Sequence, residues 1–366
     1  MSNSNLKSAK FFCENCVKLE KRKSCTLPFL ILILISCFMT DRLNTDKAIV
    51  NKCLALLEET VEETINVLYS SIDNFLFQDI NFSIVSSNMP KWILDEGISP
   101  EGVLTKDAYE ICRRKVTHPI FGLYMYYYEL WTIVAAIQDR LQAVSMFLTQ
   151  FYDNIPCIAK FTNNQYTSGS RQCGEFETSL HVLLNSIFVS YASVFDLLSK
   201  VAREEYIFDK YDFTSYKEMK SNSVLYNFNM RDIAQSLKGE GMLFSAPLVV
   251  RKFCTFRNEY VHNGPWDMRA CVYYMAVNGE PADVIIYSPD MDDYGNFIKS
   301  GSRNKFYSQS NRINIQLPEM IIELTEIIRN TITEISNLYQ AKTVRTVSSK
   351  YTAECINAIM QYYKSL

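Results

Sequence analysis

Only three histidines, His118, His181 and His262, occur in 366 residues. A structural zinc centre needs four ligands. The one Cys-x-x-C, Cys13 and Cys16, has neither a second such pair nor a nearby histidine to complete it, so no metal site and no cofactor are expected. An excess of positive charge is missing too, since 37 Lys and Arg stand against 40 Asp and Glu, a net charge of −3. That excludes a global basic field, and any contact with RNA or DNA must use a local patch of salt-sensitive affinity. A disulfide framework is the third absence. Eleven cysteines is an odd number, and they are scattered through expected helices at Cys53, Cys112, Cys254 and Cys355. Reduced thiols in a cytoplasmic protein fit that pattern better than secreted disulfides.

What is present is a globular composition, 48% hydrophobic and 21% charged, long enough for one large domain or two ordinary ones. Residues 1–45 comprise a basic N-terminus and a short apolar segment. The uncharged run at residues 24–40 would span about 25 Å as a helix, short of the ~30 Å hydrocarbon core of a bilayer. Three readings stay open for it: a buried core element, a membrane anchor and a cleaved signal peptide. Lys18, Lys21, Arg22 and Lys23 precede the run, against Arg42 and Lys47 after it, so an anchor would place the body outside the cytoplasm. That conflicts with reduced cysteines. Membrane association through residues 24–40 is therefore not favoured, and a cytoplasmic location is expected, with the anchored form as its alternative.

Residues 46–160 read as an N-terminal helical region. After Asn44, Thr45 and Asp46, which can cap, Leu54, Leu57, Val61, Ile65, Leu68, Ile72 and Phe75 step by three and four, with Glu58, Glu59, Glu62 and Glu63 mostly opposite. Residues 83–102, with Pro90, Gly97 and Pro100, read as a loop. A second helical stretch restarts at Pro119, behind His118, and is dense in aromatics over 123–152. Tyr124, Tyr126, Tyr127, Tyr128 and Trp131 are read as core, because too few charges accompany them for a nucleic-acid groove. The polar segment 161–174 is the best internal boundary. Beyond it, residues 175–366 form a second helical domain that opens with a helix over 175–206. His181 lies at the start of that helix with no acidic or thiol partner in register and is read as structural.

The most informative stretch is 251–266, RKFCTFRNEYVHNGPW. Val249, Phe253, Phe256 and Tyr260 form the stripe of a buried helix, and Asn263, Gly264 and Pro265 end it, so His262 falls in the last turn. Asn258 and His262, four apart, share a face. Arg257 is displaced from His262 by roughly 140° around the axis. After this helix the period changes: 270–277 and 282–288 flank Asn278-Gly279-Glu280-Pro281, a hairpin signal. A further strand is expected at 312–316, giving a β insertion at about 268–316. Asp290, Asp292, Asp293 and Gly295 lack the spacing of a calcium loop and read as solvated. Pro318 and Glu319 open the next helix, and a final helix covers about 344–363. The fold class is mainly α, a helical bundle with a small β-hairpin insertion.

Arg257-Asn258-x-x-x-His262 resembles the R-x(4 to 6)-H signature of the HEPN (higher eukaryotes and prokaryotes nucleotide-binding) superfamily, in which a polar residue commonly follows the arginine. The resemblance covers roughly residues 175–339; the hairpin insertion and the acidic overall charge depart from the family pattern. It implies a HEPN-like bundle in the C-terminal half and a metal-independent endoribonuclease working as a homodimer, with the two motifs facing each other. The 2′-hydroxyl of RNA would attack the adjacent phosphate, leaving a 2′,3′-cyclic phosphate and a 5′-hydroxyl. His262 would serve as general acid/base, Arg257 as phosphate clamp and Asn258 as orienting group, with weaker help from Arg251 and Lys252 on backbone phosphates. Such nucleases serve phage defence, toxin systems paired with an inhibitor protein, or RNA processing. Two alternatives stand beside this reading. One is a non-catalytic HEPN-like module that binds RNA, nucleotide or a partner protein. In the other, Arg257 merely pairs with a carboxylate and His262 is a helix-end histidine.

Overall fold

The three-and-four spacing from Leu54 to Phe75 does produce one long helical rod, with a single irregularity. In the computed structural model, which describes residues 47–77, 119–158, 169–210, 226–227, 232–267, 269–277 and 280–342, α1 (Lys47–Glu59) passes through a π turn (Thr60–Thr64) into α2 (Ile65–Phe77). A π turn widens the helix and frees a carbonyl. Here the Gln138 side-chain amide donates to the Val61 carbonyl at 3.2 Å, so the helix behind it meets the loss. Leu57, Leu68 and Ile72 are fully buried, while Glu58, Glu59, Glu62 and Glu63 face solvent.

Among the described residues the remaining α-helices are α3 (Pro119–Ile158), α4 (Glu175–Ile207), α5 (Leu248–Asn263) and α6 (Ile313–Ala341). Of the described residues 72% are helical, about twice the share of an average globular chain, so the fold is mainly α. Proline opens α3, where its missing N–H costs nothing. Tyr126 and Tyr127 of α3 are buried, and Trp131 is half exposed against Tyr69 at 4.8 Å. Tyr126 and Tyr127 are core, as the sequence indicated, Trp131 lies at the surface instead, and the side chains of Tyr124 and Tyr128 lie outside the described residues. One apolar core runs without a break through α1, α2, α3, α4, α5 and α6. By length and composition the stretch Glu175–Lys210 could cross a membrane, yet its stripe of Leu180, Leu184, Ile187, Tyr191, Val194 and Leu198 is packed inside that core. The Cys-x-x-C, the run at 24–40, the loop at 83–102, His118 and the expected last helix lie outside the described residues.

The hairpin forms as β2 (Val272–Val277) and β3 (Glu280–Ile285), antiparallel, with Val272, Tyr274 and Val284 turned into the core. Two features of this region differ from expectation. The segment read as linker supplies a third strand, β1 (Ser170–Gln172), which pairs antiparallel with β2 in the order β1-β2-β3. Three polar residues carry no alternation that could have announced it. The strand expected at 312–316 is instead the first turn of α6, and only an isolated bridge between Tyr287 and Arg312 remains of it.

The reason lies in Asn314. Its buried amide donates to the Val284 carbonyl at 2.8 Å and accepts from the Ile286 N–H at 3.0 Å, so one side chain ends the sheet in place of a strand. Pro318 then sits inside the helix, where its missing N–H would orphan the Asn314 carbonyl. The Tyr152 hydroxyl from α3 donates to that carbonyl at 2.8 Å. Asn314→Leu leaves two buried backbone groups unpaired at about 1–3 kcal/mol each, and a loss of roughly 3 kcal/mol is expected in urea unfolding; an unchanged midpoint would refute this role.

Candidate functional site

The helix α5 is set by its two ends and one face. Gly264 follows it at φ +82, a conformation that favours glycine, and its N–H donates to the Tyr260 carbonyl at 3.2 Å. Phe253, Phe256 and Tyr260 enter an aromatic cluster with Phe188 of α4 at 5.0, 4.9 and 6.0 Å between centroids, and Trp266 closes it at 5.1 Å from Phe256 and 4.9 Å from Tyr260. With that face fixed, the 100° step between residues decides which others point outward. Asn258, Val261 and His262 are exposed.

The three residues of the motif are brought together in part. Arg257 donates from Nη1 to the Asn258 side-chain oxygen at 2.9 Å, so the guanidinium folds round the helix towards the exposed face. The amide of Asn258 is thereby engaged by Arg257 and does not orient the imidazole. The His262 side chain makes no hydrogen bond among the described residues and stands open to solvent one turn further on. The Nε of Arg257 is buried and has no hydrogen-bond partner, and Arg257 forms no ion pair among the described residues. Its charge is felt nearby all the same. Burial raises the Asp196 carboxyl above the usual range, and the Tyr226 N–H, Arg257 and Lys200 act against that rise.

Arg251 and Lys252 sit two turns upstream, under the loop that follows β3. A Cβ on Gly295 would come within 3.1 Å of the Arg251 Cβ and of the Lys252 N, and the Thr255 hydroxyl donates to the Gly295 carbonyl at 2.8 Å. Arg251 thus lies beside Asp292, whose carboxyl is held low mainly by the Asn296 N–H and the turn it caps. Lys252 opens instead on a cleft of about 300 Å³ between α5 and α6, with Glu319 and Glu323 on the facing wall. Neither shares the helix end with His262. Asp290 and Asp292 are spent on loop geometry: Asp290 binds Ser308 and Asn311, and Asp292 caps its own turn. Among the described residues no group of three or more His, Cys, Asp or Glu could hold a metal ion.

What sequence reading missed is the set of side chains that hold the helix end in place. Glu259, buried, pairs with Lys305 and accepts from Asn263 at 2.9 Å, and Lys305 also donates to the Trp266 carbonyl at 3.2 Å. Partners 46 residues apart leave no periodic trace. His181 is structural, as read, but not partnerless. Its Nε2 lies 3.1 Å from the Cys271 carbonyl and must donate to it, which leaves Nδ1 to accept from the Tyr260 hydroxyl at 3.0 Å.

Burial lowers the His181 pKa below its ordinary 6.5, with the Cys271 carbonyl and Asp267 opposing. The ring is neutral in the fold, so as pH falls through about 6.5 the unfolded chain takes up the proton first and stability declines. A thermal midpoint that drops between about pH 7 and about pH 5, and drops less in His181→Gln, is the expected result; equal slopes in the two proteins would contradict it. Comparison with family models, with curated proteins and with solved structures found no match for this chain.

Proposed function

We propose that this protein is a metal-independent endoribonuclease of HEPN type, acting on RNA as a homodimer, with a role in phage defence or a toxin system. The observation that carries the reading is the end of α5: a solvent-open imidazole, His262, one turn from Asn258, whose amide oxygen takes a hydrogen bond from Arg257 at 2.9 Å. In RNA cleavage the 2′-hydroxyl loses a proton, its oxygen bonds to phosphorus, and the bond to the 5′-oxygen breaks as that oxygen gains a proton. An exposed imidazole can move either proton. The Arg257 guanidinium, with no ion-pair partner among the described residues, can hold the phosphate and take up the charge that builds on it. Among the described residues one chain offers one solvent-open imidazole at this end of the helix, His181 being buried, and a second copy supplies another across a two-fold axis.

The alternative, a non-catalytic module binding RNA, nucleotide or a partner, is favoured by one feature: Arg257 lies within electrostatic reach of Asp196 of its own chain. Incubation of the purified protein with structured and single-stranded RNA in EDTA separates the two. Fragments ending in 2′,3′-cyclic phosphate, lost in Arg257→Ala and in His262→Ala, are expected. Absence of cleavage, or cleavage that survives both substitutions, sinks the nuclease reading. RNA binding without cleavage selects the module.

A further inference from the structure

A second chemical cluster lies at the end of the β1–β2 ladder, joined to the helix end through His181. We propose that Cys173 and Cys271 form a reversible dithiol–disulfide pair that reacts with small-molecule disulfides, Cys173 as the attacking thiol and Cys271 as the resolving one. This goes beyond the nuclease reading and does not depend on it.

The register of the sheet places the two thiols together. Gln172 pairs with Val272 in the antiparallel ladder of β1 and β2. Cys173 and Cys271 are the next residues past that last rung, one beyond each strand, so the register continued by one residue sets them opposite each other. Opposed residues of such a ladder have Cα atoms about 4.5–5.5 Å apart, inside the span of about 4.4–6.8 Å that a disulfide bridges. Side chains two apart share a face of a strand, which puts Arg171 with Cys173 and Tyr273 with Cys271. The contacts agree, because Arg171 and Tyr273 both reach the Cys271 sulfur. Both thiols are free.

Their surroundings divide the roles. Cys173 is exposed and open to an oxidant; Cys271 is buried and shielded from one. The Cys271 S–H donates to Asp267 at 2.8 Å, and Arg171 lies 4.0 Å from the same carboxylate. Burial and this hydrogen bond push the Cys271 thiol up to about 12, with Arg171 acting the other way, so it stays protonated until it is needed. In the first step the Cys173 thiolate attacks one sulfur of an oxidised small thiol such as glutathione disulfide and expels one thiolate. In the second, the Cys271 sulfur bonds to that of Cys173 while its proton passes to the departing small thiolate, which leaves as a thiol. Two protein thiols are oxidised and one disulfide is reduced to two thiols. The bridge would join the start of α4 to β2. The Cys271 carbonyl in turn accepts from His181, which meets Tyr260 of α5.

The test treats the full-length protein with glutathione disulfide, blocks remaining thiols with N-ethylmaleimide, and maps tryptic peptides by mass spectrometry without reduction. Residues 172–200 and 270–299 form peptides with one cysteine each. Their cross-link is expected in the native chain, and reduction with dithiothreitol is expected to reverse it. Cys271→Ser should trap glutathione on Cys173 at about tenfold higher occupancy than the native chain, with circular dichroism verifying its fold. Cys173→Ser, altered at an exposed position, should leave Cys271 unmodified. A native chain that carries glutathione on Cys173 beside a maleimide-labelled Cys271, or that shows neither modification, overturns the proposal.

Discussion

Replacing His262 with alanine is expected to lower RNA cleavage by about 10²–10⁴-fold, the usual contribution of a positioned acid–base group, while the fold stays intact. The side chain is exposed and makes no hydrogen bond among the described residues, and surface changes of that kind stay within about 0.5 kcal/mol. Unchanged circular dichroism and an unchanged thermal midpoint beside lost cleavage would assign the loss to chemistry. Arg257→Ala is a less clean variant because Arg257 also bonds Asn258 and lies near Asp196. Arg257→Lys keeps the charge but not the planar fork, so a loss there with RNA binding retained would point to the clamp. Equal cleavage by His262→Ala and the native chain would end the catalytic assignment of that residue.

Truncating Phe253 to alanine should have the largest effect on stability, about 3–5 kcal/mol. Its ring is fully buried and meets Phe188 at 5.0 Å and Tyr191 at 5.2 Å, both edge-on. The void would open where α5 is seated on α4, so both the packing and the aim of the helix end are affected. A fall of roughly 4–7 °C in the thermal midpoint is expected, with Phe253→Leu losing much less. Val261→Ala on the exposed side of the same helix is the control and should change little. If Phe253→Ala and Val261→Ala had similar midpoints, the aromatic cluster would not be what seats the helix.

The helices were legible because a stripe at three-and-four spacing is both the sequence signal and the physical cause of burial. Leu57, Leu68 and Ile72 in the first rod, and Phe253, Phe256 and Tyr260 in α5, were read correctly for that reason. Polar groups that bond across the chain gave no such trace. Asn314 turns an expected strand into a helix start because its amide completes the ends of β3. Ser170–Gln172 becomes a strand because β2 offers it an edge. Pro318, read as a helix opener, is carried inside the helix because a tyrosine hydroxyl 166 residues earlier meets the carbonyl it orphans.

The stretch 251–266 shows the same division. By itself the sequence determined that α5 is buried on one side, that it ends at Gly264, and that Asn258 and His262 share a face; helical geometry and a glycine stop require no distant partner. Only the tertiary structure decided the rest. Which way the guanidinium of Arg257 turns, that Arg251 lies under the Gly295 loop, and that Glu259, Lys305, His181 and Cys271 hold the helix end all depend on groups far apart in the chain. Buried donors and acceptors must find partners wherever packing brings them, and no local spacing encodes where that will be.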